Sequence, residues 1–192
     1  MARLRVRHAA LLAAALLPGL ACAHAGAHGA LQHGFAAGFA HPLTGLDHLA
    51  AMLAIGVWGA SASRRVWAAP LAFAAMLLVG ALLASAGVEP PMVEPAVATS
   101  LVVLGAVLAG RAVWPAWAMA AVAGGFAVFH GAAHATELSG SAALMGMVVA
   151  TAGLHATGLL IGFALKGHSP WWPRLAGTAV TMLGTALLIG LV

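Results

Sequence analysis

From Pro42 onward the chain reads as a series of long apolar runs, each near the length a helix needs to cross a bilayer, separated by short polar or turn-forming breaks. The runs predict transmembrane helices at 42–60, 66–86, 93–110, 114–133, 140–165 and 172–191. The breaks between them are Ser61-Ala62-Ser63-Arg64-Arg65, the Glu89 to Pro95 turn, Gly110-Arg111, the stretch from His134 to Gly140, and Lys166 to Pro173. Each carries the glycine, proline or charge that ends an apolar helix. No segment alternates polar and apolar residues as a lumen-lined barrel strand would, so the spans are helical. The expected class is all-α: a polytopic membrane protein with six transmembrane helices.

The first 23 residues follow a different pattern. Arg3, Arg5 and Arg7, an apolar stretch from Ala9 to Leu17, Pro18 and the small-residue triplet Ala21-Cys22-Ala23 make a cleavable signal peptide, 1–23. Cleavage leaves His24 as the new N-terminus. Cys22, the only cysteine, departs with the signal, which removes disulfides and thiolate ligands from consideration. Residues 24–41 then form an external segment carrying His24, His28 and His33, and 42–192 form the six-helix domain.

Composition strengthens this picture. The chain is 63% apolar and 6% charged, far from the ~45–50% and ~25% of soluble domains. Lipid is the solvent for most of its surface. The net charge of +4 comes largely from the three signal arginines. What remains is Arg64, Arg65, Arg111, Lys166 and Arg174 against Asp47, Glu89, Glu94 and Glu137, so the basic balance of the whole chain says nothing about nucleic acid, and no nucleic-acid partner is expected. With the mature N-terminus outside, the loops alternate in, out, in, out, in. All five cations then fall at the three cytoplasmic loops and all three glutamates at the two external ones, as the positive-inside rule asks of its cationic part. The expected location is the bacterial cytoplasmic (inner) membrane. Gly34/Gly38 and Gly158/Gly162, at GxxxG spacing, predict close helix packing.

The informative residues are those that lipid penalises. Asp47 is the one carboxylate inside a predicted span, and a charge there costs ~2.5–3.5 kcal/mol on insertion scales, so it must meet a partner, a cavity or an ion. It sits in His41-Pro42-Leu43-Thr44-Gly45-Leu46-Asp47-His48, which predicts His41 at the helix cap and Pro42 at the first helical position. A second cluster, His130, His134 and Glu137, has i, i+4, i+7 spacing and so one helical face. Histidines at i and i+4 can aim two ring nitrogens at one ion, and a carboxylate one turn on can join them or orient a ring. Both clusters lie at the outer ends of their helices and can converge. His155 lies ~22 Å below the outer start of its span and reads as a deeper station on the same route.

Plainer readings compete with each of these. His155 alone suits a core histidine hydrogen-bonded to a carbonyl, Asp47 with His48 an interhelical clamp, and His130/His134/Glu137 a solvated helix end. His24 offers an amine and an imidazole to a metal, or is part of an incidental polar tail. Met145, Met147 and the six tryptophans read as packing and interface anchors.

These residues resemble the HupE/UreJ family of nickel/cobalt transporters, named for association with hydrogenase and urease gene sets. The family pattern of His, five residues, then Asp-His is met by His41, Asp47 and His48. The pattern Phe-His-Gly-x-Ala-His-Gly-x-Glu is met at Phe129, His130, Gly131, Ala133, His134 and Glu137, with Ala135 where glycine is usual. Leu154-His155 and Gly158 resemble the Leu-His-x-x-Gly of the fifth span. The resemblance implies uptake of Ni²⁺ or Co²⁺ from outside and a functional link to the maturation of nickel or cobalt enzymes.

The residues read on their own agree in class. Neutral imidazoles with one or two carboxylates suit Ni²⁺, Co²⁺, Zn²⁺ or Cu²⁺ and disfavour Mg²⁺ and Ca²⁺. The expected metal-site residues are His41, Asp47, His48, His130, His134, Glu137, His155 and His24. The ion is cargo, no permanent cofactor is expected, and homo-oligomers are allowed. No GxxxxGK[ST] motif is present, so ATP hydrolysis is not expected of this chain. Two alternatives stand beside transport. One is an intramembrane metal-dependent hydrolase, in which Asp47 or Glu137 activates water; the other is a metal-binding sensor or assembly protein without flux.

Overall fold

The computed structural model describes residues 32–190 except 63, 112, 136, 167, 168 and 170. The expected signal peptide, His24, His28 and His168 lie outside the described residues. The described chain is helical apart from one short parallel pairing. In order it runs β1 (Gln32–His33), α1 (Phe35–Thr44), α2 (Leu46–Ala62), α3 (Ala68–Ser85), α4 (Val93–Gly110), α5 (Ala116–Ala135), β2 (Leu138–Ser139), α6 (Ser141–Leu165) and α7 (Trp171–Leu188).

α3 to α7 fall within three residues of the spans expected from the apolar runs, but the first span does not. A helix begins at Phe35, inside the segment read as an external tail, and the chain breaks at Gly45, where α1 and α2 meet at 83°. Pro42 is therefore inside α1, and neither it nor His41 begins a helix. Proline removes one N–H from the helical ladder, and α1 runs only two residues beyond it. The Thr44 hydroxyl donates to the His41 carbonyl at 2.8 Å, serving one of the acceptors left open at the helix end. Gly45 then takes an extended conformation (φ −84°, ψ 119°) and the chain turns into α2.

Four helices, α3 to α6, are long and apolar enough to cross a membrane, and α1 with α2 would make a fifth if the bent pair is one span. α7 opens with Trp171-Trp172-Pro173-Arg174, which dilutes its apolar character.

Close approaches between glycines and neighbouring backbones give the helix directions. Gly124 faces Ala72 and Met76, and Gly131 faces Leu77 and Ala81, so α3 and α5 run parallel. Gly158 faces Leu53 and Gly56 while Gly162 faces Val57 and Ala60, so α2 and α6 also run parallel. Gly177 meets Gly105 and Ala109 while Gly184 meets Ala98 and Leu101, so α4 and α7 are antiparallel. Pairs an even number of helices apart are parallel and the odd pair is antiparallel, as required of rods that alternate in direction from α2 to α7.

One end of the bundle therefore gathers Arg64, Arg65, Arg111, Lys166 and Arg174, and the other gathers Glu89, Glu94 and Glu137. The packing expected of Gly38, Gly158 and Gly162 is present. Gly34, by contrast, has open space where a Cβ would lie and takes a positive φ of 90° that a side chain would strain. The core between the rods is built from Met52, Ile55, Trp58, Phe73, Leu101 and Met119, and Met147 joins it while Met145 faces outward.

Candidate metal centre

The two sequence clusters meet at the end of the bundle that carries the glutamates. α2 starts there with Asp47 and His48, α5 finishes there with His130 and His134, and α1 crosses over with His41. Asp47 stands in the first turn of α2, where a negative charge is favoured by the exposed N–H groups of the helix start. Its Oδ1 accepts from the His48 backbone N–H and from His48 Nδ1, both at 2.9 Å. These bonds stay within one turn of α2, so they orient His48 and do not clamp two helices. A carboxylate can only accept, which makes His48 Nδ1 the protonated nitrogen and leaves the lone pair on Nε2. Nε2 is buried without a hydrogen-bond partner.

Four imidazole rings pack together in this space, His41 against His134 and His48 against His130 edge to face, and His48 against His134 tilted. The His48 ring lies 4.3 Å from that of His134 and 5.1 Å from that of His130, and His41 lies 4.7 Å from His134. His130 and His134 have no solvent exposure, and His48 has 4%, which overturns the reading of this face as a solvated helix end. As the rings stand, no three His, Cys, Asp or Glu side chains among the described residues surround a common ion position. The cluster instead packs its rings against one another, with centroids 4.3 to 5.1 Å apart between neighbours.

Glu137 departs from expectation. The i, i+4, i+7 reading needs the helix to continue, but α5 ends at Ala135 and Glu137 lies in the turn beyond, its N–H bonded to the His134 carbonyl at 3.1 Å. From there its carboxylate reaches across to α1 and pairs with His41 Nε2 at 2.9 Å. The same turn leads into β2, which pairs with β1 in the register Gln32 to Leu138 and His33 to Ser139. His33 also meets the Ser139 hydroxyl through Nδ1. Gln32 and His33, just before α1, are thus fastened to the strand that follows Glu137.

His155 is buried in α6, apart from the four-ring cluster. The Phe73 ring lies between, 5.3 Å from the His130 ring and 5.3 Å from that of His155. His155 Nε2 has no hydrogen-bond partner, nor has the hydroxyl of Thr151 one turn before it. Sequence reasoning missed Phe73, Thr151 and Ser100. Ser100, on α4, is fully buried with its hydroxyl 2.9 Å from His130 Nε2. Nothing in an Ala/Val/Leu-rich run distinguishes such a serine from one bonded only to its own helix.

An all-helical bundle of alternating apolar rods, with a histidine and carboxylate cluster at one end, defines an integral membrane protein. The HupE / UreJ protein family matches residues 12–187, and over 185 residues the chain is 37% identical to Protein HupE of Rhizobium leguminosarum bv. viciae, covering 93% of this chain and 95% of that protein. The chain belongs to the HupE/UreJ family. No solved structure is a significant match.

Proposed function

We propose that this protein takes up Ni²⁺ or Co²⁺ across the cytoplasmic membrane, capturing the ion at His41, Asp47, His48, His130, His134 and Glu137 and passing it toward His155. The observation that carries the reading is the crowding of four imidazoles and two carboxylates from α1, α2, α5 and the turn after α5 at one end of an apolar bundle. Lipid-embedded polar groups are costly, and this many in one place need a polar guest. The donor chemistry selects a borderline transition metal over Mg²⁺ or Ca²⁺. Binding turns the packed rings so that their lone pairs face one ion. His41 and Glu137 are the most exposed members, with side chains 14% and 43% accessible, so an incoming ion meets them first.

In this reading all six rods cross the membrane. α2, at 17 residues, is ~25 Å long and α7 slightly longer, each close to the ~30 Å hydrocarbon core. The end bearing the five cations faces the cytoplasm, which puts the histidine cluster and the mature N-terminus outside. The protein is a carrier of ions rather than an enzyme, with the metal as cargo. His24, if it follows signal cleavage, supplies a further donor at the outer mouth.

Uptake of radiolabelled Ni²⁺ and Co²⁺ into vesicles reconstituted with purified protein tests this. Flux above that of empty vesicles is expected for at least one of the two ions. Tight metal binding with no flux would make the protein a sensor or assembly factor and would end the transport reading.

A further inference from the structure

The Ser100 hydroxyl makes two contacts, 2.6 Å to the Val97 carbonyl and 2.9 Å to His130 Nε2. A hydroxyl has a single proton and a carbonyl has none to offer. At 2.6 Å that proton lies between Ser100 and Val97, since two oxygens so close repel without one. The proton in the contact with His130 is therefore the imidazole's own, and His130 is the Nε2–H tautomer. Its lone pair is on Nδ1, which is buried with no hydrogen-bond partner. His48 is fixed the opposite way, with its proton on Nδ1 toward Asp47 and its lone pair on Nε2. The two rings stand 5.1 Å apart, nearly perpendicular, each with one committed donor and one open lone pair.

We infer that Ser100 is a positioning residue for the ion site: by accepting the Nε2 proton of His130 it commits Nδ1 of that ring to the cation, opposite Nε2 of His48. The inference rests on the reading of the histidine cluster as the ion site. Ser100 touches no ion. It acts from α4, a third long helix, and ties the tautomer of an α5 histidine to the packing of α4 against α5. Partners of this kind set the orientation and basicity of metal-binding imidazoles, and their loss ordinarily weakens metal affinity ~10–100-fold.

Two measurements test it. In metal-free protein labelled with ¹⁵N-histidine and held in lipid nanodiscs, long-range proton–nitrogen NMR reads which ring nitrogen carries hydrogen, with His130 assigned by its loss in His130→Gln. The wild-type spectrum should show His130 protonated at Nε2, Ser100→Ala should show a tautomer mixture, and Ser100→Thr should restore the wild-type form.

Ni²⁺ titration by calorimetry on the same samples should show Ser100→Ala weaker by ~10–100-fold and Ser100→Thr close to wild type. Because an Asn amide oxygen falls near the place of an imidazole Nδ1 and a Gln amide reaches that of Nε2, His130→Asn should keep more Ni²⁺ affinity than His130→Gln. At His48 the order should reverse. A merely structural serine would not produce this crossed pattern, and the wild-type spectrum and the His130 pair remain readable should Ser100→Ala misfold.

Nδ1–H on His130 in the wild type, wild-type Ni²⁺ affinity in Ser100→Ala, or the same Asn/Gln order at both histidines would overturn the inference while leaving the ion site standing. A wild-type protein that binds neither Ni²⁺ nor Co²⁺ would end the proposed function, and this inference with it.

Discussion

Asp47 illustrates how one side chain sets the chemistry of its neighbours. Its single oxygen Oδ1 takes two N–H groups of His48, so it fills an open donor at the start of α2 and turns the His48 ring at the same time. Asp47→Asn keeps the size but removes the charge that holds the imidazole and offsets a dehydrated dication. It should abolish Ni²⁺ uptake and weaken Ni²⁺ binding by ~10–100-fold while leaving insertion intact, because a neutral amide costs the bilayer less than a carboxylate. Vesicle flux and calorimetry on protein of verified helicity check this, and transport at the wild-type rate would make Asp47 a helix cap and nothing more. His41, Asp47, His48, His130 and His134 are legible in the sequence because each is a polar residue in an apolar run, where chance and solubility do not explain it. Ser100 is not legible for the converse reason. Ser61 and Ser85 show the ordinary state, each bonded to a carbonyl one turn back, and sequence cannot tell a serine that does only this from one that also faces an imidazole on another helix.

α1 and α2 are two elements because Gly45 lies between them. Its φ of −84° is open to any residue, so the position is limited by space rather than by backbone strain. A Cβ there would stand 2.9 Å from Asp47 Oδ1 and 3.2 Å from His48 Nδ1, the two atoms whose hydrogen bond orients the ring. Gly45→Ala should therefore leave the helices in place and weaken Ni²⁺ binding by about tenfold, at the lower end for a disturbed partner of a metal-binding histidine. Circular dichroism and calorimetry on one preparation separate the two effects; unchanged affinity would mean the pair yields at no cost. The apolar runs reveal α3 to α6 because length and hydropathy suffice for rods, and they reveal α7 through the apolar stretch that follows Arg174. They do not reveal α1, since Pro42 reads equally well as the first residue of a helix or as a residue in the last turn of one. The end of α5 is hidden in the same way. His130, His134 and Glu137 fit one helical face by spacing, and only the chain's departure after Ala135 carries Glu137 across to His41.

At the scale of the whole molecule, the helices alternate in direction, and this sorts the charged residues by end. The tryptophans follow the cations: Trp67, Trp117, Trp171 and Trp172 are exposed at or near the starts of α3, α5 and α7, where amphipathic rings anchor a bundle at the headgroup level. Loop charges made this polarity visible in the sequence, and the glycine contacts supply the physical arrangement behind it. The histidine cluster lies at the opposite end, and His155, 14 residues into α6, lies ~21 Å along from the helix start. Under the proposed function, a cation held in the cluster has crossed the smaller part of the membrane's electric field, and the path beyond Phe73 spans the larger part. A dication traversing the full field gains ~4.6 kcal/mol per 100 mV, so the membrane potential should drive passage and not capture. In proteoliposomes carrying an imposed potassium diffusion potential, an inside-negative voltage should raise the maximal uptake rate of Ni²⁺ with little change in the half-saturating concentration. A half-saturating concentration that tracks voltage instead would mean that the ion binds deep within the field. If the proposed function holds, the placement of four histidines at one end of the bundle sets the electrical distance at which the ion is first held.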